Sequence, residues 1–411
     1  MKSPLSDAIK SNLDHISFHT PGHSGILLKE DITELSYSGN LLLNSSVIFE
    51  SECEIAKVYG SENCRYITQG ATSAIHIAIK AFSDKKILVV GNCHYSVFSA
   101  IRIYKVKNAF YTNSDCLDSI IDTLSPDVIY FSSVDYMGSV KSLKNLRPDV
   151  KYIVDEAHGA HFVFSKLLPH TKSIEYADVV IHSLHKTLAA PTGAAVLHYK
   201  TRNRDRIEQA ICDIHSSSPS YYIMSKSELA IKFLADHGDQ IYSAIKYCID
   251  KFKNSINAKF KLVENHDFTR VVIKSECRAD LVSKILEKNK IFVEAAYKNF
   301  IILIVTPYNC ESLSKVADIL NSVPSNIESY TDTCDYSKDI QLKKIELFDE
   351  YITVDIDSST KHRAFRELSI YPPGIPFVFA GDEIDADIVN TINNSKESIL
   401  GLVNNKVCVL I

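Results

Sequence analysis

The amino-acid sequence predicts an α/β fold, in which a mostly parallel sheet is covered by helices on both faces and is followed by a smaller α+β domain. The middle of the chain alternates short apolar runs, typical of buried strands, with amphipathic stretches of helical period. Strands that alternate with helices indicate a parallel sheet, because a crossover helix brings the chain back to the same edge. After about residue 225 this alternation ends and longer helical stretches begin.

Local patterns predict the individual elements of the first part. Continuous apolar runs indicate strands at 86–91, 128–132, 152–155 and 178–182. Apolar residues at helical spacing indicate helices at 72–82, 96–106 and 116–124.

The second part of the chain has a different composition of elements. The patterns predict helices at 227–247, 249–258 and 278–288, and strands at 269–273 and 300–305. The segment Tyr371-Pro-Pro-Gly-Ile-Pro376 predicts a rigid extended loop. We therefore divide the chain into an N-terminal arm (1–30), a large domain (31–228) and a small C-terminal α+β domain (229–411).

The composition narrows the class of protein. The chain has 411 residues, of which 45% are apolar, and a net charge of −5, so neither a nucleic-acid surface nor a membrane surface is indicated. Its ten cysteines form no C-x-x-C pair, which favours reduced thiols in the cytoplasm over a zinc ribbon or a disulfide framework. The N-terminus has no apolar signal region, and no run of 18 apolar residues predicts a membrane span.

An aspartate and a lysine follow two neighbouring predicted strands. Asp155 ends the 152–155 strand, and Lys186 lies in Ser183-Leu-His-Lys-Thr187, just after the 178–182 strand. Open α/β sheets bind ligands at the carboxyl ends of their strands. Pyridoxal phosphate needs a lysine that forms a Schiff base and an acid that holds the pyridinium proton. Strand ends carry these residues for other reasons too, so the spacing alone leaves other ligands open.

Two further segments could contact a phosphate-bearing ring. Gly70-Ala-Thr-Ser73 begins a predicted helix, where Thr72 and Ser73 can donate to an anion or serve as an ordinary N-cap. The segment is neither a Walker loop nor G-x-G-x-x-G, which disfavours ATP and NAD. His94 follows a predicted strand, where its ring could stack on a cofactor or simply be a satisfied polar group.

The remaining titratable residues give weaker signals. Asp155, His158 and His161 lack the spacing and the additional ligands of a zinc site, so no metal is expected. His19 and His23 flank a Pro-Gly turn and do not form a zincin pair.

Glu294 precedes the predicted 300–305 strand. It is either a solvated carboxylate at a strand end or a group that binds a cationic substrate.

Eight motifs, in order, resemble one family. They are Phe18-His-Thr-Pro-Gly-His23, Asp31-Ile-Thr-Glu-Leu35, Gly70-x-Thr-Ser73, Asn92-Cys-His94, Asp155-Glu-Ala-His-Gly-Ala-His161, Ser183-x-His-Lys-Thr187, Ser217-Ser-Pro-Ser-Tyr221 and Tyr371-Pro-Pro-Gly-Ile-Pro376. Over residues 18–383 the chain resembles the bacterial ornithine/lysine/arginine decarboxylases, which are pyridoxal-phosphate enzymes. The resemblance implies fold type I, with a mostly parallel seven-stranded sheet in the large domain.

The resemblance also implies roles for individual residues. Lys186 would bind the cofactor covalently, Asp155 would hold its ring nitrogen and His94 would stack on the ring. The phosphate and the rest of the cofactor would contact Ala71, Thr72, Ser73, His158, Ser183, His185 and, from a neighbouring subunit, Ser216. Glu294 and His19 would bind the substrate.

The activity that the resemblance implies is decarboxylation of a basic amino acid, arginine or lysine before ornithine, to agmatine or a diamine. The chain would act as a homodimer or larger homo-oligomer with active sites at the interface. Two alternatives stay open. One is an enzyme of the same fold and cofactor with a different reaction, such as transamination, or with a modified amino acid as substrate, and the other is a catalytically silent regulatory relative. The presence of Lys186 and Asp155 disfavours the silent relative.

The chain departs from the family pattern at several positions. Ser24, Tyr95, Gly193 and Glu228 replace residues that are usual in the family. Larger members carry an N-terminal flavodoxin-like wing domain, and we expect a compact member without it. These departures leave the substrate and the oligomeric state open.

Overall fold

The structure is a computed structural model that describes residues 1–43, 46–141, 147–324, 327–329, 340–371, 374–395 and 398–411. The α-helices are α1 Pro4–Lys10, α2 Val47–Tyr59, α3 Gly70–Ala81, α4 Tyr95–Ile103, α5 Leu117–Leu124, α6 Ser173–Tyr176, α7 Leu184–Thr187, α8 Arg204–Ile214, α9 Tyr221–Ser255, α10 Ala279–Lys288, α11 Leu313–Asn321 and α12 Ala386–Asn394. Short 3-10 helices occur at Leu41–Leu43, Phe162–Phe164, Thr201–Asn203, Cys310–Ser312 and Ile356–Ser358.

The strands form four sheets within the described residues. They are β1 Asn63–Ile67, β2 Ile87–Val90, β3 Ala109–Thr112, β4 Val128–Ser132, β5 Lys151–Asp155, β6 Val179–Ser183, β7 Ala195–Tyr199, β8 Phe260–Leu262, β9 Arg270–Ser275, β10 Ala295–Tyr297, β11 Phe300–Ile304, β12 Lys343–Lys344, β13 Ile352–Asp355, β14 Leu368–Ile370, β15 Ile375–Val378, β16 Ile399–Leu400 and β17 Lys406–Val409.

The largest sheet has the strand order β1-β7-β6-β5-β4-β2-β3-β12. Strands β3, β2, β4, β5 and β6 are parallel, and β7 runs antiparallel between β6 and β1. The predicted α/β class with a mostly parallel sheet is confirmed, but the sheet has eight strands rather than the seven that the resemblance implied, because β12 extends the edge beside β3. The apolar runs located β2, β4, β5 and β6. The two residues of β12 carry no recognisable pattern, because their pairing with β3 depends on the tertiary fold.

The central strands are apolar because both faces of the sheet are covered. Ile153, Val179 and Ile181 point into a core that includes residues of α3 and α8. Their neighbours Val154 and Val180 point into a second core, which includes residues of α5. Side chains alternate between the two faces of a strand, so burial on both faces requires continuous apolar runs. This is the pattern from which the strands were predicted.

Helix α9 is a single helix, so the prediction of two helices divided near residue 248 is wrong. The residues around that position, Tyr247-Cys-Ile249, include neither glycine nor proline that would end a helix. The helix begins at an N-cap where Ser220 Oγ accepts from the backbone N–H of Ile223 at 3.2 Å. The predicted boundary between residues 228 and 229 lies inside α9, and the division into domains stays a prediction.

Glu228, one of the departures from the family pattern, connects α9 to α1. Its buried carboxylate accepts hydrogen bonds from the backbone N–H groups of Leu5 at 3.3 Å and Ser6 at 2.7 Å. These N–H groups belong to the first turn of α1, which lacks intrahelical partners for them. Burial raises the pKa of Glu228, and the hydrogen bonds from α1 oppose that shift.

The chain after α9 forms the remaining sheets. An antiparallel sheet of order β10-β11-β9-β8 packs with α10 and α11, and β13 pairs with β17 while β14 pairs with β15 and β16. Of the predicted loop 371–376, residues 372 and 373 lie outside the described residues, and Ile375 begins β15. Among the described residues, no helix has both the length and the apolar character that a membrane span requires.

We expect Gly238→Ala to destabilise the protein, although alanine favours a helix over glycine by about 1 kcal/mol. Gly238 lies where α9 contacts the 3-10 helix Phe162–Phe164, and a Cβ there would lie 2.2 Å from the carbonyl oxygen of Phe164. Overpacking of this kind costs about 1–3 kcal/mol. Urea unfolding would measure the loss as a lower free energy of unfolding.

The matched control for Gly238 is Lys251→Ala, an exposed substitution on the same helix. It should change the free energy of unfolding by less than about 0.5 kcal/mol. A Gly238→Ala variant as stable as the wild type would contradict the close packing at this position.

Candidate active site

Asp155 and Lys186 lie at the carboxyl ends of two adjacent parallel strands, as predicted. Asp155 is the last residue of β5 and is in register with Ile181 of β6. Strand β6 ends at Ser183, and the one-turn helix α7 that follows carries Lys186. The backbone N–H of Glu156 donates to the carbonyl of Ile181 at 3.0 Å, which continues the pairing one residue beyond β5. The carboxylate and the amine therefore face the same crevice, where each one's charge shifts the pKa of the other.

The Asp155 carboxylate is buried and held by two hydrogen bonds. Oδ2 accepts from the hydroxyl of Tyr130 at 3.0 Å, and Oδ1 accepts from the backbone N–H of Ala157 at 3.0 Å. Burial raises the pKa of Asp155, while the Lys186 charge and the hydrogen bonds partly oppose it. A buried carboxylate of raised pKa is a strong acceptor, which suits a protonated ring nitrogen.

Lys186 contacts His158, and both residues are half-buried. Nζ of Lys186 lies 3.2 Å from Nε2 of His158. Burial lowers the pKa of Lys186, although the charges of Asp155 and Glu294 favour its ammonium form. Burial, together with the charges of Lys186 and Arg270, holds the pKa of His158 well below its ordinary value. Both shifts favour uncharged nitrogens next to each other.

His94 is the N-cap of α4, and its ring is mostly uncharged near pH 7. Its Nδ1 accepts from the backbone N–H of Ser96 at 3.3 Å and lies 2.8 Å from the Ser96 hydroxyl. Burial and the Lys186 charge lower the pKa of His94 to about 4.

The C-terminal segment packs against the His94 ring at Gly374. The carbonyl of Gly374 accepts from the backbone N–H of Tyr95 at 2.8 Å. Gly374 has φ +84°, and a Cβ there would lie 3.0 Å from Cδ2 of His94. Only glycine permits both this backbone conformation and this close approach. The motif 371–376 thus contributes to the site through Gly374.

The predicted phosphate-binding turn lies at the N-terminus of α3. The backbone N–H of Gly70 donates to the carbonyl of Gly193 at 2.8 Å. Gly193 has φ +90°, and a Cβ there would lie 3.1 Å from the carbonyl oxygen of Thr68. The departure at Gly193 therefore fits a tight contact beside the turn. Within the turn Ala71 is buried, Ser73 is half-buried and Thr72 is exposed.

Two buried hydroxyls beside Lys186 have no hydrogen-bond partner among the described residues. They are Ser183 Oγ, at the end of β6, and Thr187 Oγ1, at the end of α7. An unsatisfied buried hydroxyl costs about 1–3 kcal/mol. A phosphate oxygen would accept from both, so the residues present fit a phosphate-bearing cofactor. Thr187 was missed as a site residue, although it belongs to the quoted motif 183–187.

Glu294 reaches the site through Tyr136. The hydroxyl of Tyr136 donates to Oε1 of Glu294 at 2.6 Å, and the exposed carboxylate shifts the pKa of both Lys186 and His185 upward. The Tyr136 ring lies edge-on to the His158 ring, with 5.7 Å between centroids. Tyr136 carries no motif of its own, so the sequence patterns did not indicate it.

The other predicted site residues form no side-chain hydrogen bond with Lys186 or Asp155 in the described part of the chain. His185, next to Lys186, is half-buried, and burial lowers its pKa. His19 is exposed, and its hydrogen bonds are with Ser17, Thr20 and Thr33 in the N-terminal segment. Ser216 Oγ accepts from the backbone N–H of Ser218 at 3.1 Å. The roles of these residues stay predictions.

A metal-binding cluster or a cavity could have marked the position of this crevice. No cluster of three or more His, Cys, Asp or Glu side chains suited to a metal occurs in the described part of the chain. A cavity of about 470 Å³ lies between the segment 189–191 and α9, and none of the predicted site residues lines it.

Comparisons with known proteins agree on one family and one fold. The sequence profile described as Orn/Lys/Arg decarboxylase, major domain, matches residues 23–128 and 128–278. Uncharacterized protein YaaO of Bacillus subtilis (strain 168) is 26% identical over 96% of this chain and 94% of its own. Arginine decarboxylase of the same organism is 22% identical over 95% and 93%. The crystal structure of Francisella novicida lysine decarboxylase LdcF superposes with a TM-score of 0.81 at 16% identity, over 99% of this chain and 80% of its own.

We expect His94 to make stability depend on pH. Its pKa is about 4 in the folded protein and about 6.5 in an unfolded chain, so the unfolded state binds the proton first as the pH falls. The contribution is complete above about pH 6.5 and is lost as the pH falls towards about 4. His94→Phe should therefore reduce the difference in unfolding free energy between pH 7 and pH 5 by about 1–2 kcal/mol.

Urea unfolding of the cofactor-free wild type and His94→Phe at both pH values measures this difference. The comparison between pH values cancels the loss of the N-cap bond, which affects both measurements alike. An identical pH dependence in the two proteins would show that His94 titrates normally.

Proposed function

The chain belongs to the Orn/Lys/Arg decarboxylase family, which makes it a pyridoxal-phosphate-dependent decarboxylase, and we propose that it acts on arginine or lysine in preference to ornithine. The products would be CO2 and agmatine or a diamine, amines of the kind used in polyamine biosynthesis. The observation that carries the proposal is the Glu294 carboxylate, which Tyr136 connects to the Lys186 site.

Each part of the cofactor has a group in this chain that suits it. The Lys186 amine would bind its aldehyde, and Asp155 would hold its ring nitrogen. The ring of His94 would cover one face. The unpaired hydroxyls of Ser183 and Thr187 would hold the phosphate together with the N-terminus of α3. When bound, pyridoxal phosphate supplies the electron sink for the pair that the departing carboxylate leaves behind.

Glu294 would bind the distal cationic group of the substrate. Tyr136 donates to Oε1 and so holds the carboxylate in one orientation, while Oε2 has no hydrogen-bond partner among the described residues. A carboxylate accepts either an ammonium or a guanidinium in charge-assisted hydrogen bonds. Glu294 therefore selects for a basic side chain without ranking lysine against arginine.

The residues near Lys186 would also handle the proton that replaces the lost carboxylate. Nζ of Lys186 would carry this proton, and its contact with Nε2 of His158 at 3.2 Å would hold the nitrogen in position. Both residues are half-buried, which would limit water beside them and favour loss of a charged carboxylate.

We further propose that the chain acts in the cytoplasm as a homodimer, or a larger homo-oligomer, with active sites at the interface. Ile16, Phe18, Ile26 and Leu27 in the N-terminal segment are almost fully exposed, and a second copy would bury them. The backbone N–H of Thr68, next to the phosphate turn, donates to Nε2 of His215 at 3.2 Å. The segment that begins at the half-buried Ser216 and continues with the exposed Ser217 and Ser218 therefore starts beside the turn and would reach a neighbouring site.

We expect Glu294→Gln to raise KM for the basic amino acid tenfold or more and to leave cofactor absorbance unchanged. A charge-assisted hydrogen bond contributes about 1.5–3 kcal/mol, and glutamine keeps the shape but loses the charge. Products from a mixture of arginine, lysine and ornithine identify the substrate. Glu264→Gln is the control, because Glu264 is an exposed carboxylate with one surface ion pair.

An unchanged KM in Glu294→Gln would remove that residue from the substrate site. Absence of CO2 release from all three amino acids would contradict the proposed substrate class. A keto acid in place of an amine would indicate transamination.

The interface can be tested with two inactive variants, Lys186→Ala and Ser216→Glu, the second of which repels phosphate by its charge. If Ser216 acts across the interface, a mixed dimer contains one intact site. Co-expression should then restore about a quarter of wild-type activity, because about half of the dimers are mixed and each has one active site. No recovery would place Ser216 in its own subunit's site, and a Ser216→Glu variant that is active by itself would place Ser216 outside any site.

A further inference from the structure

Arg270 is a buried cation without an ion pair among the described residues. Its side chain is 2% exposed at the start of β9, and no carboxylate forms a salt bridge with it in the part of the chain that the structure describes. Burying a charged group is costly unless hydrogen bonds or counter-charges compensate for it. Burial acts to raise the pKa of Asp267, and the charge of Arg270 is among the influences that hold this pKa below its ordinary value, but the two side chains form no salt bridge. The contacts of this guanidinium should therefore have a function.

The side-chain contacts of Arg270 are all with residues around Lys186. Nη2 donates to Nδ1 of His158 at 2.6 Å, and Nη1 donates to the carbonyl of Tyr136 at 3.3 Å. The guanidinium carbon also lies 5.7 Å from the centre of the Tyr136 ring, within range of a cation–π interaction.

The contact with His158 determines which of its ring nitrogens carries the proton. A guanidinium has N–H donors only, so Nδ1 of His158 must accept and cannot carry a proton. A neutral imidazole then carries its proton on Nε2. That nitrogen lies 3.2 Å from Nζ of Lys186, so its N–H donates to Nζ. Nζ can accept only as an amine with a free lone pair.

We propose that Arg270 is a positioning residue that fixes the Nε2–H tautomer of His158 and so presents Lys186 as a free amine. The free amine is the nucleophile that condenses with the aldehyde of pyridoxal phosphate, forming a C=N bond and releasing one water. Arg270 thus prepares the protein for its cofactor without contacting the cofactor. The assignment concerns the cofactor-free protein and does not depend on which basic amino acid is the substrate.

The groups around Lys186 shift its pKa in opposite directions. Burial and the positive charge of Arg270 favour the free amine, and the carboxylates favour the ammonium form. The groups that interact electrostatically with Lys186 are Asp155, Glu294, Arg270, His94, His158 and His185. Arg270 therefore affects Lys186 both through its charge and through the His158 tautomer, and an experiment must separate the two.

Nitrogen-15 NMR of the cofactor-free wild type, labelled in its histidine rings, reads the tautomer directly. The His158 signals are identified by their absence in His158→Gln. We expect a protonated Nε2 and an unprotonated Nδ1 from about pH 6 to pH 9, because a depressed pKa keeps the ring neutral. A proton on Nδ1, or on both nitrogens, would overturn the proposal without any Arg270 variant.

Three substitutions of Arg270 then test whether this residue causes the His158 tautomer. Arg270→Lys keeps the charge and a donor, whereas Arg270→Met removes both. Arg270→Gln is neutral and tests whether an uncharged N–H can hold the tautomer. The pH dependence of pyridoxal-phosphate uptake, followed by absorbance and trapped with borohydride, reports the pKa of Lys186. Relative to wild type, Arg270→Met should raise that pKa by about one unit or more and mix the His158 tautomers.

These variants distinguish an effect of Arg270 through the His158 tautomer from a direct effect of the Arg270 charge on Lys186. Arg270→Lys should retain the wild-type tautomer and pH profile. Arg278→Met is the control, because Arg278 is partly exposed and pairs with Asp280 and Glu328. An Arg270→Met variant that shifts the pH profile but keeps the Nε2–H tautomer would contradict the proposal and leave only a charge effect. If Arg270→Met does not fold, the wild-type spectrum and Arg270→Lys still decide.

Discussion

The parallel pairing of β5 with β6 is the constraint on which the site depends. Its register sets Asp155 opposite Ile181, two residues before the end of β6, so that α7 starts beside the carboxylate. Backbone hydrogen bonds and apolar side chains on both faces hold this register rigidly. A shift by one residue would turn Asp155 to the other face of the sheet, away from Lys186.

Partial exclusion of water is the second constraint, and it favours the neutral forms of four titratable groups in the crevice. Burial raises the pKa of Asp155 and lowers the pKa values of Lys186, His94 and His158, so that each neutral form is favoured. The hydroxyl of Ser183 also lacks a partner. A phosphorylated cofactor with a basic ring nitrogen supplies what these groups lack. Its binding is therefore coupled to the charge state of the whole crevice.

Much of the fold and part of the site follow from local patterns. The strands of the central sheet were predictable because burial on two faces requires apolar runs, and Asp155 and Lys186 because they follow such runs. The same reasoning divided α9 wrongly and did not locate the outer strands β1, β3, β7 and β12 of that sheet. It also missed Arg270, because an arginine at the start of an apolar strand gives no sign that it is buried beside a histidine of another segment.

The sequence by itself determined the residue types and motif order, and with them the family, the cofactor and the residues expected to bind it. The tertiary structure alone decided which distant residues meet. Arg270 contacts a histidine 112 positions earlier, and Tyr136 contacts a glutamate 158 positions later. Periodicity reports which face of one element is buried, whereas hydrogen-bond partners and protonation depend on how separate elements pack and exclude water. The state of Lys186 is therefore a property of the folded chain.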